Sequence, residues 1–250
     1  MKRISLVIAA FILAGCAGGT PGGGGGGAGG TPHPLSAETL LDQRGHNLVA
    51  RNEVISGDLI DGPLPTSGSA TYSGSAVVAY DSPKWQYFRD VTMIGDMNLE
   101  VDFDGYDTAI HGKIDNLYSA IGLTMEENAP LWSVYDYADM TDEERVQLIR
   151  KFNREVDGTL RISSDSPHFR LKRLSTDYPY FTGLSIDGKL LDGDNNVVVG
   201  GSLSGGFAAT EDDANITLRS SSDDSAEPFV ITRNGVVQRY VYLSAIGEKQ

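Results

Sequence analysis

Apolar and polar residues alternate with a period of two along several stretches of this chain. In the clearest stretch, residues 95–104, one face would carry Met97, Leu99, Val101 and Phe103, and the other face would be mostly acidic. This alternation predicts a strand with one buried and one solvated face, which is typical of antiparallel sheets. The same pattern predicts further strands at 68–80, 108–117, 158–164, 181–191, 197–209, 214–220, 229–233 and 236–243.

Turn signals separate these predicted strands. Residues 192–196 read Asp-Gly-Asp-Asn-Asn, and Asn234-Gly235 is the strongest short-range hairpin signal that a sequence offers. Glycines recur on the inward faces, where small residues relieve crowding in a curved sheet. Closure into a barrel would remove the exposed strand edges. We therefore predict an all-β fold with minor α content, an antiparallel and roughly eight-stranded β-barrel over residues 68–250.

One stretch has a helical pattern instead. Residues 141–156 open with a possible capping box of Thr141 and Glu144, and an apolar stripe follows every three or four residues. Basic residues near its end, including Arg150 and Arg154, would complement the helix dipole. We predict one amphipathic helix here, stopped by Gly158, that packs on the barrel or plugs one end.

Residues 35–67 give a weaker signal. Ser36 could cap a short helix, whereas Pro63 and Pro65 break the chain further on. The segment is therefore predicted to be an irregular, partly packed lead-in to the barrel.

The first 34 residues differ in composition from all the rest. Lys2 and Arg3 precede a ten-residue apolar run, too short to cross about 30 Å of hydrocarbon, so residues 1–15 read as a secretory signal.

Cys16, the only cysteine, ends the tetrapeptide Leu-Ala-Gly-Cys, which resembles the lipobox of bacterial lipoproteins. That resemblance implies cleavage before Cys16 and lipid attachment to it. Because two or more acyl chains hold a protein firmly on a membrane, we expect a permanent anchor, with residues 16–34 as lipidated cysteine and flexible glycine-rich tether. Ala17, where aspartate would favour the inner membrane, points to the outer membrane.

The charge balance restricts the expected partners. The whole chain has a net charge of −14, and without the signal 18 basic residues face 34 acidic ones, a net charge of −16. Such a field repels phosphate backbones and anionic lipid, so nucleic acid is not expected as a partner, and membrane contact is expected through the lipid on Cys16.

Several motifs together resemble the transferrin-binding protein B-like surface lipoproteins, a group that includes the factor H-binding proteins. The lipobox and polyglycine tether precede a first strand at 68–74, and later strands carry similar segments at 99–103, 112–117 and 200–207. The chain departs from the family after Phe207, where Ala208 and Ala209 replace an expected Tyr-Gly, and in the insertion at 119–157. The resemblance implies a surface lipoprotein that binds another protein, and it transfers no ligand-binding residue to this chain.

Two acidic groups could hold calcium weakly. Asp102, Asp104 and Asp107 form one, and Asp192 and Asp194 lie in the second turn. Calcium needs several oxygen ligands close together, but the first group has no glutamate at the twelfth loop position. Solvated turns are the favoured interpretation, so no metal site and no cofactor are predicted.

The remaining candidates are dispersed. The four histidines are scattered, with His111 on the polar side of its strand, and no catalytic motif is present. Aromatic residues in connections between strands are interpreted as core packing at the barrel ends or as part of a partner surface. The histidines are His33, His46, His111 and His168, and the aromatic groups are Trp85, Tyr87 and Phe88, and Trp132, Tyr135 and Tyr137.

These observations together predict a non-enzymatic, lipid-anchored outer-membrane protein, displayed on the cell surface rather than facing the periplasm, that binds a partner protein or solute, for iron, haem or host-protein capture. An envelope-assembly lipoprotein is the alternative. A lipocalin-like carrier of an apolar ligand is a third, although large inward side chains favour a filled interior.

Overall fold

Strands dominate the computed structural model, which describes residues 35–56, 67–81, 89–104, 108–172, 179–209, 214–220 and 227–250. The helices are α1 (Ala37–Ser56), α2 (Met125–Asn128), α3 (Val134–Asp139) and α4 (Asp142–Lys151), with a 3-10 turn at Ala129–Leu131. The strands are β1 (Ser67–Asp81), β2 (Arg89–Asp104), β3 (Ala109–Leu123), β4 (Arg154–Ser163), β5 (Arg170–Lys172), β6 (Tyr180–Asp192), β7 (Asn195–Ala209), β8 (Ala214–Ser220), β9 (Val230–Arg233), β10 (Val236–Val237) and β11 (Arg239–Lys249).

Eight of these strands close into an antiparallel barrel. They follow the order β1-β2-β3-β4-β6-β7-β8-β11, and pairing of β11 with β1 completes the ring. Strand β5 adds to β6, and the hairpin of β9 and β10 adds to β7. The predicted all-β, eight-stranded barrel is therefore confirmed.

The barrel interior is occupied by apolar side chains. The alternating faces of 95–104 and 197–209 point inward as predicted, with Met97, Leu99, Leu203 and Phe207 at most 4% exposed. Aromatic rings meet within it, since the ring centroids of Phe181 and Phe207 lie 5.6 Å apart. Packing of this kind is what burial of apolar surface favours in a small barrel.

A layer of helices covers part of the outer wall, and the predicted helix belongs to it. Its capping box is present, since Thr141 and Glu144 bond reciprocally, and its apolar side packs on the outside of the barrel rather than plugging an end. The helix ends at Lys151, so the predicted stop at Gly158 is wrong. Val156 instead belongs to β4, where it pairs with Leu117 and Asp192 and is 5% exposed.

The predicted irregular lead-in and the single helix are also corrected. Residues 37–56 form α1, and Ser36 does cap it, with its Oγ accepting from the backbone N–H of Thr39 at 3.2 Å. The buried stripe of α1 follows the helical repeat, yet Arg44, Gly45 and Asn47 occupy it between the leucines. Because those residues are not apolar, hydrophobic periodicity alone does not reveal the helix. Pro63 and Pro65 lie outside the described residues.

The Asn-Gly hairpin is confirmed, with a shorter second arm than predicted. Asn234 and Gly235 have φ of 51° and 77°, as a type I′ turn requires. Strand β10 has only two residues. The backbone N–H of Gln238 donates to the Ile231 carbonyl at 2.8 Å, and beyond this hydrogen bond the chain leaves β9 and pairs with β1.

Candidate binding site at the barrel rim

Polar residues replace apolar ones at one end of the barrel interior. Ser119 of β3 pairs with Met93 and with Arg154 of β4, so all three lie on the inward side of the sheet. Asp192, at the end of β6, pairs with Val156 on the same side. The inward-facing side chains are therefore apolar along the barrel, and at the rim they are an arginine, a serine and an aspartate.

These three side chains form one hydrogen-bonded network around a buried carboxylate. Asp192 is 0% exposed, and its Oδ1 accepts from Ser119 Oγ at 2.8 Å and faces Arg154 Nη2 at 3.1 Å. The same Nη2 donates to the Asp192 carbonyl at 3.0 Å. Gly193 leaves room for this contact, since a Cβ there would lie 2.6 Å from Nη2. A buried carboxylate thus fixes the Arg154 guanidinium, and charge-assisted hydrogen bonds of this kind are among the stronger ones.

A surface groove of about 270 Å³ opens beside Arg154. We call it the rim groove, and its lining combines cationic and amide side chains with one apolar residue. Ile121 is 53% exposed although it follows the buried strand positions of β3. The lining residues are Ile121, Gln147, Arg150, Lys151, Asn153 and Arg154.

The charges of the rim groove are partly compensated. Arg154 is paired with Asp192, and Lys151 contacts Glu127 of α2. Burial alone would raise the pKa of Glu127, but hydrogen bonds from Lys151 and Thr124 outweigh it and lower that pKa. Arg150 has no ion pair with any residue that the structure describes. The groove consequently keeps a net positive charge in a strongly acidic protein.

A second unusual arrangement holds α1 on the outer wall. Arg44 is 1% exposed, its Nε donates to the Leu131 carbonyl at 2.8 Å, and its Nη2 donates to Ser244 Oγ at 3.1 Å. The guanidinium also lies 6.0 Å from the ring of Trp132. Burial, followed by repulsion from Arg51, lowers the pKa of Arg44 to about 9. The residue joins α1, the 3-10 turn and β11 at one point.

Asn47 extends this polar contact toward the end of α1. Its Nδ2 donates to Glu248 Oε1 at 2.7 Å, and its Oδ1 accepts from Ser75 Oγ at 2.9 Å. The Glu248 carboxylate also lies 3.4 Å from His46 Nε2. These contacts bind α1 to β1 and β11 on the side of the helix that faces the barrel.

The described residues of the two acidic groups are not gathered into a metal site. Asp102 and Asp104 point into solvent from β2, and Asp107 lies outside the described residues. Asp192 is buried in the network with Arg154, while Asp194 is exposed in the turn. Across the described part of the chain, no three His, Cys, Asp or Glu side chains are grouped so as to hold a metal ion.

The other sequence candidates are dispersed in space. His111 lies on the exposed face of β3 as predicted, and His46 and His168 are exposed. Trp132 packs edge-on against Tyr242, with ring centroids 4.9 Å apart, whereas Tyr135 is 74% exposed. Cys16, the tether, His33 and the aromatic group of Trp85, Tyr87 and Phe88 lie outside the described residues.

The rim groove is not evident from the sequence. The helical pattern of residues 141–156 places Arg150 and Arg154 near the end of one helix, whereas in the structure Arg154 belongs to β4. The available signal was three basic residues within 150–154 of a chain dominated by acidic ones.

Comparisons with known proteins identify no relative of this chain. No protein-family model, curated protein or solved structure matches the chain. Among the helices described, none combines the length and apolar character needed to cross a membrane. The resemblance to transferrin-binding protein B-like lipoproteins therefore stays a prediction.

Proposed function

We propose that this protein is a non-enzymatic lipoprotein of the outer membrane that binds a partner protein or solute on the outside of a filled barrel. The anchor in this proposal is lipid on Cys16, and the glycine-rich tether holds the barrel away from the membrane. The transferrin-binding protein B-like resemblance supports display on the cell surface and capture of a host protein, iron or haem.

The observation that carries the proposal is the packing of the barrel interior. Phe181, Leu99 and Ile186, together with many other apolar side chains at 0–5% exposure, occupy the space that a carrier would reserve for its ligand. We therefore assign binding to surfaces outside this packed core, namely the rim groove and the helical layer, which present charged, amide and aromatic groups. Loops and helices on a rigid scaffold are common positions for recognition residues.

The anchor is tested by replacing Cys16 with serine in the native host. We expect the wild-type protein to incorporate labelled palmitate and to fractionate with outer membrane, and C16S to do neither. A C16S protein that still fractionates with outer membrane would contradict the anchor. Thr20→Ala, a substitution in the tether, is the control and should leave fractionation unchanged.

Display is tested by treating intact cells with protease. Release of a fragment that contains the barrel is the expected result for a surface-displayed binding protein. Full protection in intact cells, with cleavage after the outer membrane is permeabilised, would contradict surface display and favour the envelope-assembly function.

A further inference from the structure

The rim groove has the chemistry of a site for an oxyanion. Guanidinium groups bind carboxylate, phosphate and sulfate through paired N–H donors, and Arg150 and Arg154 both line the groove. Gln147 and Asn153 add amide donors beside them. In the described part of the chain, no hydrogen bond or ion pair involves the side chains of Gln147, Arg150 or Asn153, so these groups are available to a ligand.

Arg154 is the fixed element of this arrangement. Its Nη2 is held by Oδ1 and by the carbonyl oxygen of the fully buried Asp192, and Asp192 is held in turn by Ser119. Only one nitrogen of the guanidinium is used in these contacts. Binding groups that a surrounding shell has already oriented lose less conformational entropy when a ligand arrives.

The helix dipole explains part of the cationic character but not all of it. Arg150 and Lys151 lie in the last turn of α4, where positive side chains are favourable. That argument does not account for Arg154, which comes from the inward side of β4, or for the exposed Ile121 at the end of β3. Convergence of groups from a helix and two strands around one concavity is typical of a ligand site at a barrel mouth.

We propose that the rim groove binds an oxyanion attached to a partly apolar body. Arg150 and Arg154 bind the anionic group, Gln147 and Asn153 donate further hydrogen bonds, and Ile121 contacts the apolar part. Asp192 is a positioning residue that acts through Arg154. This inference rests on the proposed function, because it names the ligand chemistry of that exterior surface.

The experiment titrates the full chain, purified in detergent, by calorimetry at constant ionic strength. The probes are inorganic phosphate, sulfate, acetate, hexanoate and glycerol 3-phosphate, with chloride as the background anion. Saturable binding of one equivalent is expected, with hexanoate tighter than acetate because of Ile121. Dihexanoyl phosphatidic acid, added as a sixth probe, separates the two sources of the anionic group. Tighter binding of this short-chain lipid than of glycerol 3-phosphate assigns the group to a lipid headgroup, and equal or weaker binding assigns it to a free solute.

Three variants separate a built site from a general charge effect. Arg150→Gln should weaken every oxyanion at least about fivefold. Arg161→Gln removes the same charge from an exposed position of β4 outside the groove, and it should change affinity less than about twofold. Ile121→Ser should abolish the preference for hexanoate over acetate and leave phosphate binding intact.

The inference is overturned if no probe binds saturably, or if Arg150→Gln and Arg161→Gln weaken binding equally. Either result leaves the anchor and surface display untouched, because those are measured by lipid labelling and protease access. Conversely, loss of the anchor in those assays would not alter the calorimetric result.

Discussion

The barrel interior and the helical layer are held together by different forces. Inside the barrel, strand pairing and apolar side chains dominate, and the buried residues come from all eight closing strands. On the outer wall, a second and smaller apolar cluster, which includes Leu40, Leu131 and Leu148, is supplemented by polar contacts of Arg44 and Asn47. The interior therefore depends on the amount of buried surface, whereas the layer depends on a few specific contacts.

This difference has consequences for stability and for specificity. Apolar burial is non-directional, and loss of one large side chain is costly because the cavity cannot fully collapse. Arg44 is a buried charge without a carboxylate partner among the described residues. Burial of such a charge lowers the free energy of unfolding, although its hydrogen bonds fix one arrangement of the groups around it. We expect the layer to open at lower free energy than the barrel.

The largest effect is expected from Phe181→Ala. Phe181 is 0% exposed and packs against Phe169 and Phe207, so its removal should lower the free energy of unfolding by about 3–5 kcal/mol. Leu191→Ala, at a 49% exposed position of the same strand, is the control and should cost about 0.5 kcal/mol or less. Urea denaturation measures both. A loss under about 1 kcal/mol for Phe181→Ala would indicate a loosely packed interior and revive the carrier function.

Arg44→Ala should have the next largest effect. It leaves the Leu131 carbonyl buried without its donor, which should cost about 1–3 kcal/mol. Hydrogen exchange should rise in α1 well before it rises in β2, because the contact holds the layer and not the barrel. Arg44→Met fills similar space without a buried charge, and its cost should be smaller than that of alanine. Equal exchange in α1 and β2 would mean that the two regions unfold together.

Gly45→Ala tests packing within the layer. A Cβ at Gly45 would lie 1.8 Å from the ring of Tyr137 in α3, so the ring must move. The overpacking cost of about 1–3 kcal/mol exceeds the gain in helix propensity of up to about 1 kcal/mol, and a net loss near 1 kcal/mol is expected. Tyr137→Ala should remove that penalty in the double variant, and a double-mutant cycle of thermal unfolding measures the coupling.

The control for this change is Gly200→Ala in β7. Nothing lies within 4 Å of a Cβ at Gly200, so its substitution should alter stability by less than about 0.5 kcal/mol. Additive effects of Gly45→Ala and Tyr137→Ala would contradict direct contact between α1 and α3.

The smallest effect concerns pH. Burial raises the pKa of Tyr72 to about 12, against an ordinary value of about 10 in the unfolded chain. Between pH 10 and pH 12 the native state retains a proton that the unfolded state has lost. The contribution of Tyr72 to the free energy of unfolding is therefore complete below pH 10 and decreases as the pH rises toward 12. At about pH 10.5 the free energy of unfolding should have decreased by less than about 1 kcal/mol through this residue.

Tyr72→Phe isolates this contribution. The variant should lose less stability than the wild type between about pH 9 and about pH 10.5, while phenolate absorbance should show one fewer late-titrating tyrosine. Identical pH profiles for the two proteins would show that water reaches the Tyr72 hydroxyl and that the interior is less tightly closed at this end.

The strands could be predicted because each one carries its own pattern. In β2 and β7 the alternation of residues fixes which face is buried, and a slip of one residue would expose the whole apolar set. The groove could not be predicted in this way. Ile121, Arg150 and Arg154 come from three elements, and only the folding of α4 against the rim brings them around one concavity.

Taken by itself, the sequence determined the barrel and its strand faces, the capping boundary at Thr141, the Asn-Gly turn and the expectation of a lipid anchor at Cys16. These features depend on local periodicity or on neighbouring residues. Only the tertiary structure decided that α1 exists as a long helix, that α4 ends at Lys151, and that Asp192 orients Arg154 beside a groove. Each of these depends on residues distant in sequence: Arg44 and Ser244 are 200 positions apart, and Ser119 and Asp192 are 73 apart. Such contacts leave no periodic trace in the chain.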